Sequence, residues 1–120
     1  MHNVKYYMKD FNSTLYKIIG LRIKEARHRL NYSQEDLAKK ILISRASISN
    51  IELGRHQPPL HVLYDISSVL NFDLQQLLPT FNEVEKHIST NEYSDILKNI
   101  SDLDEDSKKA IEEIINNLNK

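Results

Sequence analysis

The stretch "SQEDLAKKILISRASISNIELG", from Ser33 to Gly54, starts and stops a helical pattern twice within a short span, and that leaves few folds open. Leu37, Ala38 and Ile41 recur at helical spacing, and Ile48 and Ile51 resume it after a break. Ser33 has the form of an N-cap, and "SQED" matches a capping box with Asp36 in place of the usual Glu. Ser44 is the next N-cap candidate. Gly54 suits the left-handed residue that follows a helix C-terminus. The spacing therefore predicts two short helices, Gln34–Ile41 and Arg45–Leu53, joined by about three residues. That is the geometry of a helix-turn-helix.

The flanking sequence is helical as well. A first helix is expected from about Thr14 to Leu30, with Ile19, Ile23, Ala26, Arg27 and Leu30 facing inward. Asn31 and Tyr32 break it. "QPP" forces extended chain, and Pro59 or Leu60 opens a fourth helix with Leu63, Ile66 and Leu70 as its stripe. Asp73 caps a last short helix, "LQQLL", which Pro79 stops. Past Pro79, "FNEVEKHI" reads as a turn or two of weak helix. "NEYSDILKNI" places Tyr93, Ile96, Leu97 and Ile100 on one stripe, and "LDEDSKKAIEEIINNL" is a stronger helix carrying Leu103, Ile111, Ile114, Ile115 and Leu118. No period-two alternation persists, so the expected class is all-α. The expected organisation is a flexible N-terminal tail over 1–13, a five-helix domain over 14–80, and an acidic helical extension over 81–120.

Only Gly20 and Gly54 are glycines, which leaves no glycine-rich phosphate loop. There is no cysteine, so disulfides and thiolate metal sites are excluded. The five histidines show no metal-ligand spacing, and no metal or other cofactor is expected. His56 and His61 near Asp65 can be drawn as a catalytic pair, but surface histidines in a loop account for them better, and no enzyme activity is expected. No apolar run approaches the roughly 20 residues of a membrane span, and "MHNVKYYMKDFN" lacks the apolar core of a signal peptide, so the expectation is a cytoplasmic protein. Charge is divided unevenly. Residues 1–80 hold eleven Lys and Arg against seven acids, a balance of +4, while residues 81–120 hold five Lys against ten acids, a balance of -5. A basic front and an acidic tail suggest two tasks.

In a helix-turn-helix the second helix enters the DNA major groove with its N-terminal residues at the base edges. Arg45, Ala46, Ser49 and Asn50 share the face opposite Ile48 and Ile51. A face that only needed to be soluble would carry better helix formers such as Glu, Lys and Gln. Short side chains here let the helix backbone approach bases. Arg45 can pair bidentately with guanine, Asn50 with adenine, and Ala46 can touch a thymine methyl. Ser47 and Ser49 can reach phosphates or bases.

The chain resembles the phage-repressor (Cro-type, Xre-like) helix-turn-helix family. The residues that carry the resemblance are "GLRIKEAR", "YSQEDLAKK", "ISRASISNIELGR", the proline that follows, and "LYDISSVLNFDLQQLL". It covers roughly residues 14–79, in the family's order of elements. It implies a five-helix lambda-repressor-like domain, with a short helical C-terminal extension, acting on double-stranded DNA as a homodimer on a palindrome. It also implies that Gln34 meets a phosphate and braces the recognition helix; Ser33, Ser44 and Ser47, read from their places near the helix starts, are further candidates for phosphate contact or bracing. Arg45, Ala46, Ser49 and Asn50 fall where the family reads bases, Arg55 and His56 where a loop grips the backbone, and Arg27 and Glu52 on a structural ion pair. Leu42 departs from the pattern, for the family usually has Gly there. A left-handed Leu is strained, so the turn is expected to take another conformation.

Two functions suit this chain. One is a transcriptional regulator, a repressor, that dimerises through 81–120. The other is an antitoxin, whose C-terminal helices hold a toxin while its N-terminal domain represses its own operon. The symmetry of a palindromic operator favours the first. A protein partner, toxin or regulator, remains the alternative use of the acidic helices.

Overall fold

The structure is a computed structural model that describes the backbone of residues 4–99 and 105–118, with side chains over residues 10–90 and 105–118 apart from residue 108. The described residues form seven helices and no strand: α1 (Val4–Arg29), α2 (Gln34–Ile41), α3 (Arg45–Glu52), α4 (Leu60–Val69), α5 (Leu74–Leu77), α6 (Phe81–Asn99) and α7 (Glu105–Leu118). The chain divides into two compact units, residues 1–85 and 86–120.

The first unit is built around one apolar core. Ile19, Ile23 and Ala26 from α1 meet Leu37 and Ala38 from α2, Ile48 and Ile51 from α3, Leu63 and Ile66 from α4, Leu70 just past it, and Leu77 from α5. Ile23, Leu37, Ile48 and Ile66 are wholly shielded from solvent. Each short helix is too short to persist alone and is held by this burial.

Caps fix where the helices start. Ser33 accepts a hydrogen bond from the Asp36 amide at 3.0 Å, and the Ser33 amide donates to the Asp36 carboxylate at 2.9 Å. That bond from the Ser33 backbone, then the one from its hydroxyl, then Lys39 and Lys40, hold the Asp36 carboxyl below the usual carboxylate range. Ser44 caps α3 through the Ser47 amide at 3.0 Å. Asp73 and Gln76 form a second reciprocal box at the start of α5.

The helix ends share one device. Asn31, Leu42, Gly54 and Asn71 all have positive φ, between 58° and 73°. After each, the next amide donates to the carbonyl five residues back: Tyr32 to Arg27, Ile43 to Ala38, Arg55 to Asn50, and Phe72 to Ser67, at 2.9–3.1 Å. Helix carbonyls that would otherwise lack a partner are satisfied this way.

Four expectations are corrected. Leu42 does adopt the left-handed conformation, at φ 61° and ψ 41°, because the reversal and its Ile43–Ala38 bond are needed to seat Leu37 and Ile48 in one core. Leu30 is not inward but 39% exposed, since α1 ends at Arg29. The first helix begins at Val4 rather than near Thr14, so residues 4–13 are helical. Neither Gly nor Pro interrupts that stretch, and Phe11 stacks on Phe81 with ring centroids 4.9 Å apart. The segment after Pro79 is one continuous helix, α6, and not two pieces. Its first turn belongs to the first unit: Val84 is wholly buried and Glu83 pairs with Arg22. The first compact unit runs to Glu85.

Within the second unit, α7 carries acids in its first turn, where they complement the helix dipole. Ile111 and Ile115 are half-buried, while Ile114 and Leu118 are 60% and 66% exposed. The side chains of Tyr93, Ile96 and Leu97, and all of Ile100 and Leu103, lie outside the described residues.

Candidate nucleic-acid interface

α3 presents two faces. Ile48 and Ile51 point into the core, while Arg45, Ala46 and Asn50 are exposed and Ser49 is half-buried. The four residues expected to read bases thus share one side of one helix, with its two isoleucine anchors opposite.

The seat of α3 is polar and buried. Arg27 is 7% and Glu52 5% exposed. The Arg27 Nε donates to Glu52 Oε2 at 2.7 Å and Nη2 to Oε1 at 2.9 Å, a two-point pairing that raises the Arg27 pKa further. Arg27 Nη1 also donates to the Tyr32 carbonyl at 2.8 Å, and Nη2 lies 3.1 Å from His28 Nε2. Gln34 Nε2 donates to Glu52 Oε1 at 3.2 Å. The first residue of α2, the end of α1 and the last residue of α3 are therefore tied through one carboxylate. All buried side-chain polar atoms among the described residues have partners. The part played by Tyr32 escapes sequence reading because a main-chain carbonyl leaves no signature in residue type.

The serines are engaged locally. Ser33 is held by its capping box with Asp36, and the Ser44 and Ser47 hydroxyls lie 2.8 Å apart at the start of α3. All three remain close to helix N-termini, which favour anions. Past α3, the amides of Arg55 and His56 both donate to the Asn50 carbonyl, at 2.9 and 3.3 Å. This folds the loop back beside the exposed side of α3 and leaves both side chains exposed.

Gly20 and Gly54 mark a close approach that the sequence signals only weakly. A Cβ on Gly20 would stand 2.4 Å from the Ile51 carbonyl oxygen and 2.5 Å from that of Glu52. A glycine inside a helix costs about 1 kcal/mol relative to Ala, so its presence there implies a packing reason.

Among the described residues there is no cluster of His, Asp or Glu able to hold a metal ion, and no helix is long and apolar enough to cross a membrane. The model of the helix-turn-helix family matches residues 23–77. An uncharacterised HTH-type transcriptional regulator of Archaeoglobus fulgidus is 38% identical over 64 residues, 53% of this chain and 89% of the relative. The immunity repressor protein of Bacillus phage phi105 is 26% identical over 95 residues, 77% of this chain and 66% of the repressor. Among solved structures, a hypothetical transcription factor, NHTF, from Neisseria superposes with a TM-score of 0.53 at 25% identity, over 60% of this chain and 83% of that one.

Proposed function

Since the chain belongs to the helix-turn-helix family of DNA-binding transcriptional regulators, we propose that it is a repressor which binds a palindromic operator as a homodimer, with α3 in the major groove. The observation that carries this is the exposed row Arg45, Ala46 and Asn50, with Ser49 at its edge, on a helix that Arg27 and Gln34 hold through its own Glu52. Arg45 and Asn50 have planar forked groups suited to base edges, and Ala46 suits a thymine methyl. Gln34 stands at a helix N-terminus and Arg55 and His56 in a loop, places where phosphate oxygens are met, and Ser33, Ser44 and Ser47 flank them. The alignment with the phage immunity repressor runs over 95 residues, longer than the five-helix domain, and supports repression. Self-association is assigned to the extension 81–120, because Ile114 and Leu118 of α7 are apolar and exposed.

Selection of bound duplexes from a random pool tests the reading. Enrichment of an inverted repeat is expected. A pool that enriches nothing refutes DNA reading by α3, and a non-repeated site refutes the symmetric dimer. A chain that sediments as a monomer and captures a protein encoded beside its gene favours the antitoxin reading of the extension.

A further inference from the structure

Lys17 lies against the loop that follows α3. A Cβ placed on Gly54 would stand 2.8 Å from the Lys17 Cα, 2.8 Å from its Cγ and 2.9 Å from its backbone nitrogen. The stem of Lys17 therefore packs directly on Gly54, and the residue is exposed. One turn along α1, Gly20 touches the last carbonyls of α3. The chain has two glycines, and both stand in this one contact. The described ion pairs are Arg22–Glu83, Arg27–Glu52 and Lys39–Glu35, and Lys17 is in none of them.

We infer that Lys17 is a DNA phosphate contact, forming with Arg55 a cationic edge at the C-terminal end of α3, with His56 beside them. This rests on the reading of α3 as the groove helix. A helix in the major groove has a phosphate strand on each side. Arg55 and His56 are hooked to the Asn50 carbonyl, next to the base-reading row. Lys17 adjoins the same loop from the α1 side, so α1 extends the loop's grip by one cation. Its long stem lets the ammonium reach past the backbone it packs on. A purely internal role is also chemically available, as a cation near the negative end of the α3 dipole. The two roles differ in what salt does to binding.

The experiment measures affinity for the selected operator across a salt series, with Lys17→Gln, Lys17→Arg and Lys24→Gln compared with the unaltered protein. Lys24 lies on the same side of α1, two turns further from Gly54. Loss of one phosphate contact lowers the slope of log affinity against log salt by about one per protomer. The deficit of Lys17→Gln then shrinks roughly threefold per protomer between about 50 and 200 mM salt. Lys17→Arg should keep the original slope, and Lys24→Gln should leave it unchanged. A Lys17→Gln protein that melts lower yet keeps the full slope overturns the inference in favour of the dipole role. An equal change in Lys24→Gln overturns it too, because a diffuse charge effect would then suffice. If the unaltered protein selects no duplex, the groove reading itself fails and Lys17 falls with it.

Discussion

Arg27 and Glu52 meet at two points, Nε to Oε2 and Nη2 to Oε1, across the junction of α1 and α3, and both are almost fully buried. Removing one partner strands the other charge in the core. Glu52→Ala is expected to lower stability by about 3 kcal/mol, because an uncompensated buried charge is more costly than the pair is favourable. It also frees Gln34, so operator binding should fall by more than the loss of folded protein explains. Urea unfolding with a parallel binding titration checks both. An unchanged urea midpoint contradicts the first expectation.

The acid limb of stability should report on Asp36 and Glu83. Hydrogen bonds from Ser33 hold Asp36 low, and the bond from Arg22 does the same for Glu83. A carboxyl whose pKa is depressed in the fold stabilises the protein fully above its unfolded value, about 4. That contribution is lost as the pH falls through the depressed folded value. Urea midpoints measured from pH 7 to pH 3 should therefore decline at the acid end, and Asp36→Asn with Glu83→Gln should decline less steeply.

Leu42 is 90% exposed in the left-handed region, so its side chain contributes little burial while its backbone is strained. Leu42→Asn should stabilise the fold by about 1 kcal/mol, since Asn tolerates this conformation and a left-handed L-residue costs about 1–2 kcal/mol. Leu42→Val, branched at Cβ, should destabilise it. Thermal melts of the two variants should move in opposite directions from the parent.

What could be read from the sequence follows how far apart the decisive residues are. The cap pairs Ser33–Asp36 and Asp73–Gln76, and the stripes of α2, α3 and α4, lie within a turn or two, and the residues alone reveal them. The contacts of Phe11 with Phe81 and of Arg22 with Glu83 join residues far apart in the chain, which local periodicity does not encode. Leu42 defeated local sterics for the same reason: the core on either side of the turn outweighs the strain of one residue. The row Arg45, Ala46, Ser49 and Asn50 was legible as one side of a helix, and the structure adds the polar seat behind it. The Lys17–Gly54 contact had no sequence signal beyond the presence of the two glycines.

A chain ending at Thr80 should be markedly less stable than one ending at Thr90. The shorter chain loses Val84, which is wholly buried, the Phe11–Phe81 stack and the Glu83 pair with Arg22. Burial of Val84 alone is worth about 1.5–3 kcal/mol. Guanidinium unfolding of the two chains side by side measures the difference. Both should lose most self-association if α7 provides it, and sedimentation of the longer one separates that effect from folding.

Arg45 and Arg55 should fail in different ways. Arg45→Ala is expected to cost about 1–3 kcal/mol on the operator and relax the preference at one base pair per half-site. Arg55→Ala should weaken operator and scrambled duplex alike and flatten the salt dependence. If Arg45→Ala weakens both duplexes equally, Arg45 is a backbone contact instead.

The four helix closures at Asn31, Leu42, Gly54 and Asn71 each turn the chain on a single left-handed residue. Such corners have no slack. One inserted residue advances the following helix by about 100° of rotation, because a helix has about 3.6 residues per turn. At the corner before α3 that would carry Ile48 and Ile51 out of the core and swing Arg45 and Asn50 away from their shared side. The length of that corner is therefore fixed by the core, while the side chains on the exposed side of α3 can be exchanged without disturbing it.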